Sequence, residues 1–150
     1  MAPRASRPPV RVDTFAQQVR LIRWLGRYFG VRCRVTQKAT GRSYAFVRSR
    51  DIELSDATRL GRRAVCLHEF AHLVAEQRYP GEGHKHGRVF CEALWEVIHV
   101  VGDSPEHYPW GIEYVTVART CRPWLGRSPR ASVPVPGRKP YGQPLGLTHR

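Results

Sequence analysis

Residues 68 to 72 read His68-Glu69-Phe70-Ala71-His72, and this short stretch constrains the fold more than any other feature of the chain. Residues four apart on a helix share one face, a turn above one another. Both imidazoles therefore reach a single cation, and Glu69 projects beside them toward a water on that cation. Two neutral nitrogen ligands, an open coordination position and a carboxylate able to take a proton make up the working site of a zinc peptidase. An H-E-x-x-H arising by chance in a chain of this composition has a probability of about 2%. Composition alone does not account for it, so the fold is expected to be built around a helix that carries the motif.

The flanking residues supply that helix. No proline falls between Asp56 and Arg78, and Leu60, Ala64, Leu67, Ala71 and Val74 recur at three- and four-residue spacing. Ser55 and Asp56 stand where an N-cap belongs, and Tyr79-Pro80-Gly81 provides a stop. A catalytic zinc takes three protein ligands and one water, so a third ligand is required. The metzincin pattern needs Gly and His where this chain has Ala75 and Arg78, and the only methionine is Met1, which leaves no Met-turn. Three candidates remain. Glu92 lies twenty residues beyond His72, a separation used by some Glu-liganded peptidases. His86, in His86-Gly87-Arg88-Val89-Phe90, stands at the mouth of a second helix with an apolar stripe of Phe90, Leu94, Val97, Ile98 and Val101. His84 is its near neighbour, and spacing does not separate the two.

An H-E-x-x-H helix followed by H-G-x-x-F at the start of the next helix resembles the SprT-like zinc peptidases. It is also similar to small metallohydrolases of actinobacteria and their phages. The resemblance covers roughly residues 13 to 101. It implies a minimal zincin-like domain in which His68, His72 and His86 bind Zn2+ and Glu69 is the general base, and it favours His86 over His84 and Glu92. The best-known branch of the family acts on proteins attached to DNA. No zinc-ribbon module is expected, because Cys33, Cys66, Cys91 and Cys121 include no C-x-x-C pair.

Charge bears on partners. The net charge of +13 is concentrated at the ends: residues 1 to 12 carry three Arg and no acid, and residues 119 to 150 carry six Arg, Lys139 and no acid. The middle, residues 13 to 118, holds only +3. These arms suit a nucleic-acid partner or a purely solubilising role, and composition does not choose between them. The first twelve residues contain no apolar stretch of the signal-peptide kind, and no run approaches a membrane span. Four irregularly spaced cysteines do not form a disulfide framework. The expectation is a reducing cytoplasm, with Cys66 and Cys91 as small core residues.

The organisation expected is an α+β fold: a basic disordered arm (1–12), a peptidase domain (13–118) and a basic Pro/Gly-rich tail (119–150). Phe15, Val19, Ile22, Leu25 and Phe29 mark an N-terminal helix ending at Gly30. Val31 to Val35, Tyr44 to Val47 and Ile52 to Ser55 read as three short strands, the last a candidate edge strand for holding substrate by strand addition. Ile112 to Val117 reads as a further strand or packing segment. His107, Tyr108 and Tyr114 are the available downstream donors for an oxyanion, and the sequence selects none of them. Two rival functions stay open. One is a non-catalytic zinc-stabilised nucleic-acid-binding protein, which needs a fourth protein ligand from His84 or a cysteine. The other is a regulatory peptidase that cleaves repressors and takes a later acidic ligand.

Overall fold

The computed structural model describes residues 6–126. The remainder of the arm (1–5) and of the tail (127–150) lies outside the described residues. Four α-helices and a three-stranded sheet form an α+β fold in the order α1 (Phe15–Phe29), β1 (Arg34–Lys38), β2 (Tyr44–Phe46), β3 (Asp51–Ser55), α2 (Arg62–Arg78), α3 (Arg88–Val100) and α4 (Val115–Cys121). No helix among the described residues is long and apolar enough to cross a membrane.

Helix α1 opens on a capping box, in which the Thr14 hydroxyl accepts from the Gln17 N–H and the Gln17 side chain accepts from the Thr14 N–H. It closes on Gly30, whose φ of 69° is the left-handed cap that glycine adopts without penalty. The next residue, Val31, donates its N–H back to Gly26 O at 2.9 Å. That bond finishes the helix, so the first strand begins at Arg34 and not at Val31 as the alternation suggests.

The sheet order is β1-β3-β2, with β1 parallel and β2 antiparallel to β3. Strand β3 is therefore central, with Ile52, Leu54 and Ser55 buried. The expectation that Ile52 to Ser55 forms an open edge is corrected. Both of its sides are already hydrogen-bonded, and the open edges belong to β1 and β2.

Helix α2 starts six residues later than its cap residues suggest. Ser55 ends β3 and its Oγ accepts from Ala57 N–H, while Asp56 accepts from the Gln37 amide and pairs with Arg62. Both side chains are committed to the sheet and the loop, so the helix is entered at Gly61 without a side-chain cap. Nor is α2 amphipathic: every residue from Ala64 to Ala75 is buried, because α1, α3 and the sheet all pack on it. A helix buried all round is what the interior of a layered domain requires.

The ordered core extends past both expected boundaries. Trp24 Nε1 donates to Ser6 O at 2.7 Å, Arg63 donates to Pro9 O at 2.8 Å, and Val12 is buried, so residues 6–12, though largely exposed, are tied to the core at three points. Residues 115–121 form helix α4 and not a strand. Val117, Ala118 and Cys121 are buried, and α4 packs against α3. Trp124 is 4% exposed, edge-on to Trp95 with centroids 5.5 Å apart and under the Arg88 guanidinium. Trp124→Ala is therefore expected to destabilise the protein by about 3–5 kcal/mol, and ending the chain at residue 118 to do at least as much. Urea unfolding followed by tryptophan fluorescence checks both.

Candidate metal centre

The motif histidines face inward from the middle of α2, and His86 reaches them from the residue before the Gly87 cap of α3. Among the described residues, His68, His72 and His86 form a cluster able to hold a metal ion, with one nitrogen from each lying within 4.8 Å of the others. His68 Nε2 and His86 Nε2 are 3.2 Å apart. Two nitrogens bound to one tetrahedral ion at 2.0–2.1 Å are separated by about 3.3 Å, so the spacing fits a shared cation. Phe90 packs against all three rings, with centroids 4.4 to 5.0 Å away, and forms the apolar wall of the site.

The other ring nitrogens of His68 and His72 are occupied. His68 Nδ1 lies 2.8 Å from Glu113 Oε2, and His72 Nδ1 donates to Gly83 O. Such partners hold the proton on Nδ1 and leave Nε2 as the free lone pair. Gly83 sits so tightly under α2 that a β-carbon there would lie 2.7 Å from His72 O and against Glu76 Cβ. Only glycine lets this carbonyl reach the imidazole. Burial, followed by the charge of His68, pushes His72 down to about 3 and His86 down to about 4. Both are neutral at physiological pH, the form that binds metal.

Sequence reasoning misses Glu113. It is buried, accepts from Tyr108 O–H at 2.6 Å and from its neighbour's N–H (Tyr114) at 2.9 Å, and touches His68 across 45 residues of chain. Burial works to raise its carboxyl, but His68, Tyr108 and the Tyr114 N–H outweigh it and hold it below the usual carboxylate range. Burial and the Glu113 charge push Tyr108 well above its ordinary range, so its hydroxyl stays a donor. No signal in a single sequence marks Glu113 among twelve acids.

The remaining candidates separate cleanly. Glu69 is buried at the wall of a 450 Å³ cleft that it shares with His68, Ser43, Leu60, Ile112 and Tyr114. Burial raises its carboxyl to about 7, with His68 opposing. His84 is exposed and Glu92 is buried on α3, and neither belongs to the three-histidine cluster. Tyr108 is committed to Glu113, and His107 is exposed in a 3-10 turn (Pro105–His107). Tyr114 stacks on His86, with centroids 4.0 Å apart and planes 25° from parallel, and its half-exposed ring faces the cleft. No cysteine joins the cluster, and all four are free thiols.

No protein-family profile, curated protein or solved structure matches this chain. The site is therefore characterised by its own residues and their geometry.

Two outcomes are expected. Glu113→Gln and Gly83→Ala each lower metal affinity by about 10–100-fold, the range seen when a ligand's supporting partner is removed; chelator competition measures this. The second concerns the metal-free protein, whose folded His72 and His86 stay neutral down to about 3 and 4 while the unfolded chain protonates them near 6.5. The unfolded state binds more protons in that window, so stability falls as pH drops through 6.5. Glu69 acts in the opposite sense, since folded it binds its proton near 7 and unfolded near 4.5. Glu69→Gln removes this opposition, so melting temperature should fall more steeply between pH 6.5 and 4.5 than in the parent.

Proposed function

We propose that this protein is a zinc-dependent peptidase. The observation that carries the reading is the convergence of His68, His72 and His86, with His68 and the neighbouring Glu69 lining a cleft. Three imidazoles are a zinc-binding set, and three protein ligands leave a position for water or substrate. A structural site instead needs a fourth protein ligand, and no fourth side chain joins the cluster among the described residues. That favours a catalytic over a purely structural metal. The exclusion of Glu92 from the cluster likewise disfavours a site with a later acidic ligand.

Zinc, when bound, supplies a Lewis acid and brings the pKa of water down to about 7. Glu69 accepts the proton of the attacking water and passes it to the departing amine, a task matched to a carboxyl whose burial raises it toward neutrality. Glu113 and Gly83 hold the His68 and His72 rings in the ligating orientation. The substrate backbone lies along the open edge of β2. Gly41 to Ser43, just ahead of that strand, line the same cleft as Glu69, and β2 has a partner on one side only. Ile112 and Val115, both exposed, offer apolar surface to substrate side chains across the cleft.

Glu69→Gln is expected to retain zinc and lose proteolysis of an unfolded protein substrate by a factor of at least about 100. His86→Ala is expected to lose zinc far more readily than His84→Ala or Glu92→Ala. Elemental analysis and a fluorescent-casein assay test both. Full activity in Glu69→Gln would remove the general-base assignment, and preferential zinc loss in Glu92→Ala would replace the third ligand.

A further inference from the structure

The cleft that holds Glu69 is walled mainly by three chain segments: Gly41 to Ser43 before β2, Ala57 to Leu60 before α2, and Ile112 to Val115 leading into α4. The first two carry its exposed charges, Arg42 and Arg59. The carboxylates in the lining, Glu69 and Glu113, are both buried. Lys38 adds a third cation at the lip. Its Nζ would lie 3.7 Å from a β-carbon at Gly41, and its charge reaches Glu69. Asp56, next to the second segment, is engaged by the Gln37 amide and by Arg62.

Position, more than charge, sets Arg42 and Arg59 apart, because no other arginine among the described residues lines this cleft. Their two loops are also tied together. Ser43 Oγ accepts from the Ser55 N–H at 2.9 Å, and Ser55 Oγ accepts from the Ala57 N–H at 3.1 Å. Gly41, with φ 87°, supplies the turn that leads into Arg42. The third wall is apolar. Ile112, Tyr114 and Val115 are three of the seven large apolar side chains exposed among the described residues. Gathered in one cleft, they form the kind of apolar surface that marks a binding site.

Building on the peptidase reading, we propose that this cleft selects peptides in which Asp or Glu stands close to an apolar residue beside the scissile bond. The apolar side chain packs on Ile112 and Val115. The acid pairs with Arg42 or Arg59, whose planar guanidinium forks match a carboxylate in geometry as well as charge. Arg42 stands two residues ahead of β2, whose outer edge is open. A substrate backbone that continues along that edge brings a side-chain carboxylate to the loops, and not its own terminus.

The test uses the full chain loaded with zinc and short peptides blocked at both ends, with Leu fixed and Asp, Asn or Lys scanned through the other positions. Hydrolysis by the parent gives kcat/KM, and anisotropy of rhodamine-labelled peptides on the Glu69→Gln variant gives affinity without turnover. The best Asp peptide should exceed its Asn counterpart by about 10-fold in both readouts, the scale of a charge-assisted hydrogen bond. Its Lys counterpart should be poorer still. Arg42→Glu/Arg59→Glu should reverse the order and favour the Lys peptide, a gain that misfolding cannot produce. Arg23→Glu/Arg27→Glu makes the same charge change on α1 and should keep the preference for Asp. Cleavage with no preference among the three peptides, or an equal shift in both double variants, would overturn the proposal and leave the peptidase reading intact. Selective binding of Asp peptides with no hydrolysis by the parent would reject the peptidase reading and uphold the selectivity of the cleft.

Discussion

Burying His68, Glu69 and His72 in the central helix takes three ionisable groups out of water, and much of the remaining structure answers that constraint. Desolvation alone favours the neutral form of each group, and an unpartnered polar atom in this position costs about 1–3 kcal/mol. Glu113 partners one imidazole and the Gly83 carbonyl the other. Glu113 in turn needs Tyr108 and the Tyr114 N–H to remain ionised in the interior. The segment from residue 101 to α4 is thus more than a connector, since it carries the carboxylate that fixes His68.

The same constraint explains the loop between α2 and α3. It must turn tightly enough to bring the Gly83 carbonyl under His72 and then deliver His86 to the other two rings. Glycine at 83 permits the close approach, and the apolar face of Phe90 with the stacked ring of Tyr114 brackets His86 from two sides. A side chain carried on a loop is held less firmly than one on a helix, and these two rings compensate by packing.

The location of charge changes once the fold is known. Linear counting assigns the excess to the two ends. In three dimensions acids pair with Arg34, Arg62, Arg63, Arg78 and Lys85, while α1 exposes Arg20, Arg23 and Arg27 and carries no acid, so a segment of small net charge still contains a basic helix face. Coulomb interactions depend on distance in space, and a sum along the chain discards that distance.

Local signals were sufficient wherever the determinant was local. The motif placed His68, Glu69 and His72 on a helix, the apolar stripe marked α3, the H-G-x-x-F context pointed to His86, and the Phe15 to Phe29 spacing outlined α1. They failed where a residue had a competing use. Val31 alternates like a strand residue but caps α1, and Ser55 and Asp56 resemble helix caps but serve the sheet. Val115 to Val117 are β-branched, yet they lie in a helix whose Val117, Ala118 and Cys121 pack on α3. The sequence by itself pointed to the three clustered histidines, to Glu69 beside two of them and to the α+β class, because periodicity and short motifs are properties of neighbouring residues. Only the tertiary structure decided the Glu113–His68 pairing and the central position of β3. Each of these joins residues far apart in the chain, and their meeting is fixed by packing and desolvation rather than by any short-range pattern.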